Sequence, residues 1–68
     1  PTHYTAFSFA QGRPLEFAVR DRIGLAVGAR VEGPALIAEE TAMLYLDSGF
    51  AASVHPTGAL LIGRESDG

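Results

Sequence analysis

Apolar and polar residues alternate with a period of two along most of this chain, which predicts strands rather than helices. Thr5, Phe7 and Phe9 share one face of a first run. Leu15, Phe17 and Val19 share one face of a second, with Glu16 and Arg20 opposite. Gln11–Gly12–Arg13–Pro14 carries turn chemistry between them, so the two runs predict a β-hairpin. Phe7, Phe9 and Phe17 are expected to form the aromatic centre of one sheet face. In Asp21–Gly28 the alternation of Ile23, Leu25 and Val27 is interrupted by Gly24 and Gly28. This connector predicts one helical turn or an irregular loop, with Leu25 plugging an end of the core.

Ala35–Leu36–Ile37–Ala38 is an unbroken apolar run, too short for a helix, and predicts a strand covered on both faces. Gly33–Pro34 leads into it. Pro34 fixes its own φ and withholds an N–H, and Gly33 is expected at a positive φ. Glu39 and Glu40 close the run at a solvated strand end. Thr41–Leu46 predicts a strand even though Ala42, Met43 and Leu44 favour helix, because it ends so soon at Asp47–Ser48–Gly49. Phe50, Ala52 and Val54 then line one face, opposite Ala51 and Ser53. His55–Pro56–Thr57–Gly58 fits a type I turn, and Ala59–Ile62 is the last strand before a polar tail from Gly63 to Gly68. The sum is about six short strands with little helix. It predicts an all-β fold, a small antiparallel barrel or sandwich-like domain over residues 1–68, with Gly28, Gly33, Pro34, Gly49 and Gly58 as structural turn residues.

Composition sharpens this picture. With 68 residues and no cysteine, the chain has a small core and no disulfide or thiolate metal site to supplement it. It has no lysine; its five cations are all arginine. Such a surface, poor in flexible charge, fits equally an arginine-biased genome and a piece whose flanks pack on other protein. The net charge of −3 argues against nucleic acid as a partner. No apolar run approaches the roughly 20 residues of a membrane span. The absence of cysteine fits a cytoplasmic setting. The opening Pro1–Thr2–His3–Tyr4 has no basic-then-apolar leader, and the chain is expected to be cut from something longer.

Candidate chemistry is sparse. Gly28-x4-Gly33 has the glycine spacing of a phosphate loop, but Pro34 stands where the phosphate-binding lysine is needed. Glu39 and Glu40 are adjacent, so on a strand their carboxylates diverge rather than converge on one substrate. His3 and His55 are the only histidines, and no cluster accompanies either as a metal site would require. Asp47–Ser48–Gly49 lacks the elbow pattern that exposes a nucleophilic serine. The glycine-spaced strands are similar to biotinyl and lipoyl carrier domains, but without a lysine the cofactor has no amine to join. No catalytic, cofactor-binding or metal residue is expected in these 68 positions.

The order of features resembles the C-terminal end of the hydantoinase A / 5-oxoprolinase family. That family includes N-methylhydantoinase-type subunits and relatives in acetone and acetophenone carboxylases. The resemblance is carried by Arg22–Ile23–Gly24–Leu25–Ala26–Val27–Gly28, then Gly33–Pro34–Ala35–Leu36–Ile37–Ala38–Glu39–Glu40–Thr41, then Gly49–Phe50 and Gly58–Ala59–Leu60. It spans about Phe7 to Ile62. It departs at Asp47–Ser48, where the family often has proline, and at Ala42–Met43, where the family's strand is richer in threonine. The resemblance implies a non-catalytic structural and interface domain of an ATP-dependent cyclic-amide hydrolase or related carboxylase subunit. ATP, and a divalent metal, would belong to the preceding domains, which resemble the actin–sugar kinase fold. The implied partners are those domains and a hydantoinase B-like subunit. The residues alone equally allow an independent small β-barrel binding module or accessory subunit.

Overall fold

The computed structural model describes residues 2–65. The fold is all-β, with seven short strands: β1 (His3–Ser8), β2 (Arg13–Asp21), β3 (Arg30–Glu32), β4 (Ala35–Ala38), β5 (Met43–Leu46), β6 (Phe50–Val54) and β7 (Leu60–Arg64). The connector after β2 makes a single 3₁₀ turn, Arg22–Gly24. The strands form a four-stranded sheet ordered β1-β2-β4-β5 and a three-stranded sheet ordered β3-β6-β7. The arrangement is sandwich-like. Among the described residues no ladder joins β1 to β5, so the barrel does not close.

Alternation places the core between the two sheets. Ala35, Ile37 and Leu46 from the first sheet meet Val31, Ala52 and Val54 from the second, and Leu25 fills one end as the connector pattern predicts. β4 is covered on both faces, as its unbroken apolar run requires. Ala35 and Ile37 face the second sheet, while Leu36, aligned with Val19 and Tyr45, is buried on the other side. That other side also holds Phe17, fully buried and paired with Tyr4.

A flat four-stranded sheet would hold its edge strands about 14 Å apart, three strand spacings. Here they touch. The Tyr45 hydroxyl donates to the Phe7 carbonyl at 2.6 Å, and the Ser8 hydroxyl donates to Asp47 Oδ1 at 2.6 Å. The first sheet is therefore curled, with Phe17 inside the curl.

Several local expectations change. β3 was not legible, because only Val31 is apolar between Arg30 and Glu32. It carries the connector into the second sheet, and β4 consequently returns beside β2 as the one parallel pair, Ala18–Asp21 against Ala35–Ala38. Pro14 lies within β2 rather than in the turn. Val19 donates its N–H toward β1, to the Thr2 carbonyl, so by alternation position 14 faces away from β1, where β4 does not reach and no donor is needed. The turn is instead Phe9–Gly12, with Gly12 N–H bonded to the Ser8 carbonyl at 2.7 Å. Gly63 and Arg64 belong to β7 and are not tail. The Ser66–Gly68 part of the expected tail, and Pro1, lie outside the described residues.

The turn residues divide into two kinds. Gly28, Gly49 and Gly58 have φ of 86°, 90° and 92°, the left-handed region that favours glycine. Gly49 makes possible the three-residue corner from β5 into β6, closed by Phe50 N–H to Asp47 O at 3.2 Å. In the β6–β7 hairpin, Gly58 N–H bonds to His55 O at 2.8 Å and His55 N–H to Ala59 O at 2.8 Å, a turn completed by a left-handed glycine. Gly33 is not at positive φ, contrary to expectation. Its peptide to Pro34 is cis, and it passes against the backbone of Asp47. A Cβ built on Gly33 would overlap the Asp47 carbonyl oxygen and lie 2.7 Å from the carbonyl carbon. Gly33 is required by close approach, not by φ.

Candidate functional site

The most organised polar group lies where the curl brings β1 against the β5–β6 corner. Asp47 is buried and uses both carboxylate oxygens. Oδ1 accepts from the Ser8 hydroxyl at 2.6 Å and the Ser48 N–H at 2.7 Å, while Oδ2 accepts from the Ala10 N–H at 2.9 Å. Ser8, also fully buried, accepts in turn from the Gln11 N–H at 3.1 Å. No buried side-chain polar atom among the described residues lacks a partner. These bonds tie the turn after β1 to the corner after β5.

Burial alone would raise the Asp47 carboxyl, but the bonds from Ser8, Ala10 and Ser48 outweigh it and hold it at about 2, below 3.8. A carboxyl with a depressed folded value stabilises the fold above its unfolded pKa and loses that contribution as pH falls. Thermal stability should therefore fall as pH drops from about 4 towards about 2. Asp47→Asn should flatten that dependence. A wild-type melting temperature unchanged across this window would refute the assignment.

Residues singled out from the sequence are placed as follows. Gly28 and Gly33 cannot cradle a phosphate, because their N–H groups are bonded to Val54 O at 2.9 Å and Phe50 O at 2.8 Å. Glu39 and Glu40 are exposed directly after the end of β4, in the hairpin loop to β5 closed by Glu39 N–H to Ala42 O at 2.8 Å. Both line an open groove of about 730 Å³ with Asp21, Arg22 and Ala38. Arg22 reaches the Gly58 carbonyl, and also the Leu25 carbonyl at 3.5 Å. His3 stands on β1 with Nδ1 3.2 Å from the Thr2 hydroxyl. His55 Nδ1 lies 2.9 Å from the Thr57 hydroxyl and accepts the Thr57 N–H at 3.2 Å. The Ser48 hydroxyl accepts from the Gln11 amide at 3.2 Å. Among the described residues no three potential ligands group around a metal position.

The aromatic centre expected of Phe7, Phe9 and Phe17 is different in kind. Phe17 pairs with Tyr4, three residues from Phe7, so Phe7 points to the opposite face. The ring against Phe17 is Tyr45, with centroids 5.2 Å apart. Phe9, 77% exposed, packs edge-on against Phe7 at 5.1 Å and Tyr45 at 6.3 Å. Tyr4 and Met43 are exposed as well. No local pattern signals Ser8, Tyr45 and Asp47, because they meet only when the sheet curls across a separation of 38 or 39 residues. No family model, curated protein or solved structure matches this chain.

Proposed function

We propose that this chain is a non-catalytic β domain that docks on neighbouring protein, as the C-terminal domain of a hydantoinase A / 5-oxoprolinase-like subunit. The observation that carries the docking role is the apolar surface. Large side chains at Tyr4, Phe7, Phe9, Met43 and Tyr45 are exposed around the curled first sheet. The order of motifs from Arg22 to Leu60 supplies the family. In this reading the ATPase chemistry, with its nucleotide and divalent metal, belongs to the parent's other domains. Those domains and a hydantoinase B-like subunit are the surfaces that meet the aromatic group, and the assembly is cytoplasmic. Among the described residues, no helix is long and apolar enough to cross a membrane.

The reading frame upstream of Pro1 tests the family. It should continue for several hundred residues into an ATPase-type body, as a fold of that size requires. A start codon directly before Pro1, with no hydantoinase-like gene beside it, would overturn the reading. The docking role is tested separately, by adding Phe9→Ser to the full-length subunit and measuring association of its domains and partner. Weakened association is expected. Unchanged association would favour the independent module, for which the chain's own Ser8–Asp47 tie and apolar core speak.

A further inference from the structure

Of the four sheet edges, three are blunted. β1 and β5 are bound to each other by the Tyr45, Ser8 and Asp47 contacts. β3 has only three residues and carries an exposed Arg30–Glu32 ion pair at 3.3 Å. β7 is different. It is five residues long, pairs among the described residues only with β6, and leaves both Leu61 and Ile62 about half exposed. An apolar edge without proline, whose one charge (Arg64) stands exposed at its last residue, is a template for another strand.

The hydrogen bonds determine which groups that edge offers. Val54 bonds through both its N–H and C=O to Ala29 and Gly28, and Phe50 accepts from Gly33. Residues 50, 52 and 54 of β6 therefore face β3, and the alternate positions face β7. The ends agree: His55 N–H bonds to Ala59 O and Glu65 N–H to Gly49 O, each at 2.8 Å. Leu61 and Gly63 consequently bond inward to β6. Leu60, Ile62 and Arg64 turn their N–H and C=O groups outward, away from β6.

We propose that β7 pairs antiparallel with β7 of a second copy of this chain, with Ile62 on the two-fold axis, joining two three-stranded sheets into one. Only this register satisfies all the outward groups within the strand itself. Ile62 exchanges both bonds with Ile62 of the other copy, and Leu60 with Arg64 at each end. Centring on Leu61 or Gly63 instead leaves a terminal pair of groups opposite residues outside β7. The register also sets Leu61 opposite Gly63, a closely spaced non-hydrogen-bonded pair. The space above Gly63 is open, with no atom within 4 Å of a Cβ built there, so the exposed leucine covers a bare backbone. Antiparallel pairing keeps the two Arg64 charges at opposite ends, whereas parallel in-register pairing would stack them.

Sedimentation velocity of the chain over a concentration series should show a reversible monomer–dimer equilibrium. Ile62→Pro removes a donor that β6 does not use, so far-UV circular dichroism should be unchanged while dimerisation weakens at least about tenfold. Arg64→Pro deletes a second outward donor at an exposed position and should act in the same direction. In wild-type chain, amide exchange at Leu60, Ile62 and Arg64 should slow with rising concentration, while Leu61 and Gly63 stay constant. A monomer at every concentration overturns the proposal. So does a dimer that both proline variants leave intact, which would place the contact on the Phe7–Phe9 surface instead.

Discussion

Replacing Gly33 by alanine should destabilise this chain by about 3 kcal/mol or more. The new methyl group would overlap the Asp47 carbonyl oxygen, and the Leu46 carbonyl oxygen lies 2.9 Å away. These are backbone atoms at the corner between β5 and β6. They cannot rotate aside as a side-chain tip could, so the β3–β4 connection and the corner must separate. That separation breaks the Gly33 N–H bond to Phe50 O and disturbs the residue whose carboxylate ties down the turn after β1. Overpacking in a core costs typically about 1–3 kcal/mol. A rigid backbone overlap belongs at or above the top of that range, against a total stability of about 3–10 kcal/mol for a chain of this length. Gly24→Ala is the control. Gly24 has no positive φ and no atom within 4 Å of a built Cβ, so the variant should stay within about 0.5 kcal/mol of wild type in urea unfolding. A folded Gly33→Ala chain, with Gly24→Ala equally stable, would show that the close approach can open at little cost.

How far the sequence reached is visible at that same corner. Gly33 stood out as a special residue, but nothing local could say why. A glycine needed for its own φ and a glycine needed because another strand passes over it look identical in one dimension. The strands that alternate cleanly, or run apolar without a break, were legible: β2, β4 and β6 sit where their patterns put them, and Leu25 plugs the core. β5 formed as a strand against the helix preference of Met43 and Leu44, because pairing with β4 outweighs propensity in so short a segment. β3 was missed because three residues give alternation too little length to register. The Ser8–Asp47 tie was missed for a different reason. Asp47 and Ser48 read as ordinary turn residues, and their partners lie near the far end of the chain, brought close only by curvature that no local pattern encodes.

Phe17→Ala should cost about 3–5 kcal/mol, comparable with the whole stability of the chain. The ring is fully buried on the concave side of the first sheet, under Tyr45. Its loss removes what the curl closes around, so the damage extends past the cavity itself. With nothing to wrap, the edge strands lose the apolar reason to approach, and the Tyr45–Phe7 and Ser8–Asp47 bonds that span them weaken together. Phe9→Ala tests the same argument from the other side. The alternation pattern gave Phe9 and Phe17 equal standing, yet Phe9 is 77% exposed, and its removal should shift stability by no more than about 0.5 kcal/mol. Tyr45→Phe separates ring from hydroxyl: it keeps the contact with Phe17, loses the bond to Phe7 O, and should cost about 1 kcal/mol. Equilibrium urea unfolding of the three variants ranks them directly. Equal effects for Phe9→Ala and Phe17→Ala would mean that the first sheet is flat, with both rings lying on one open face.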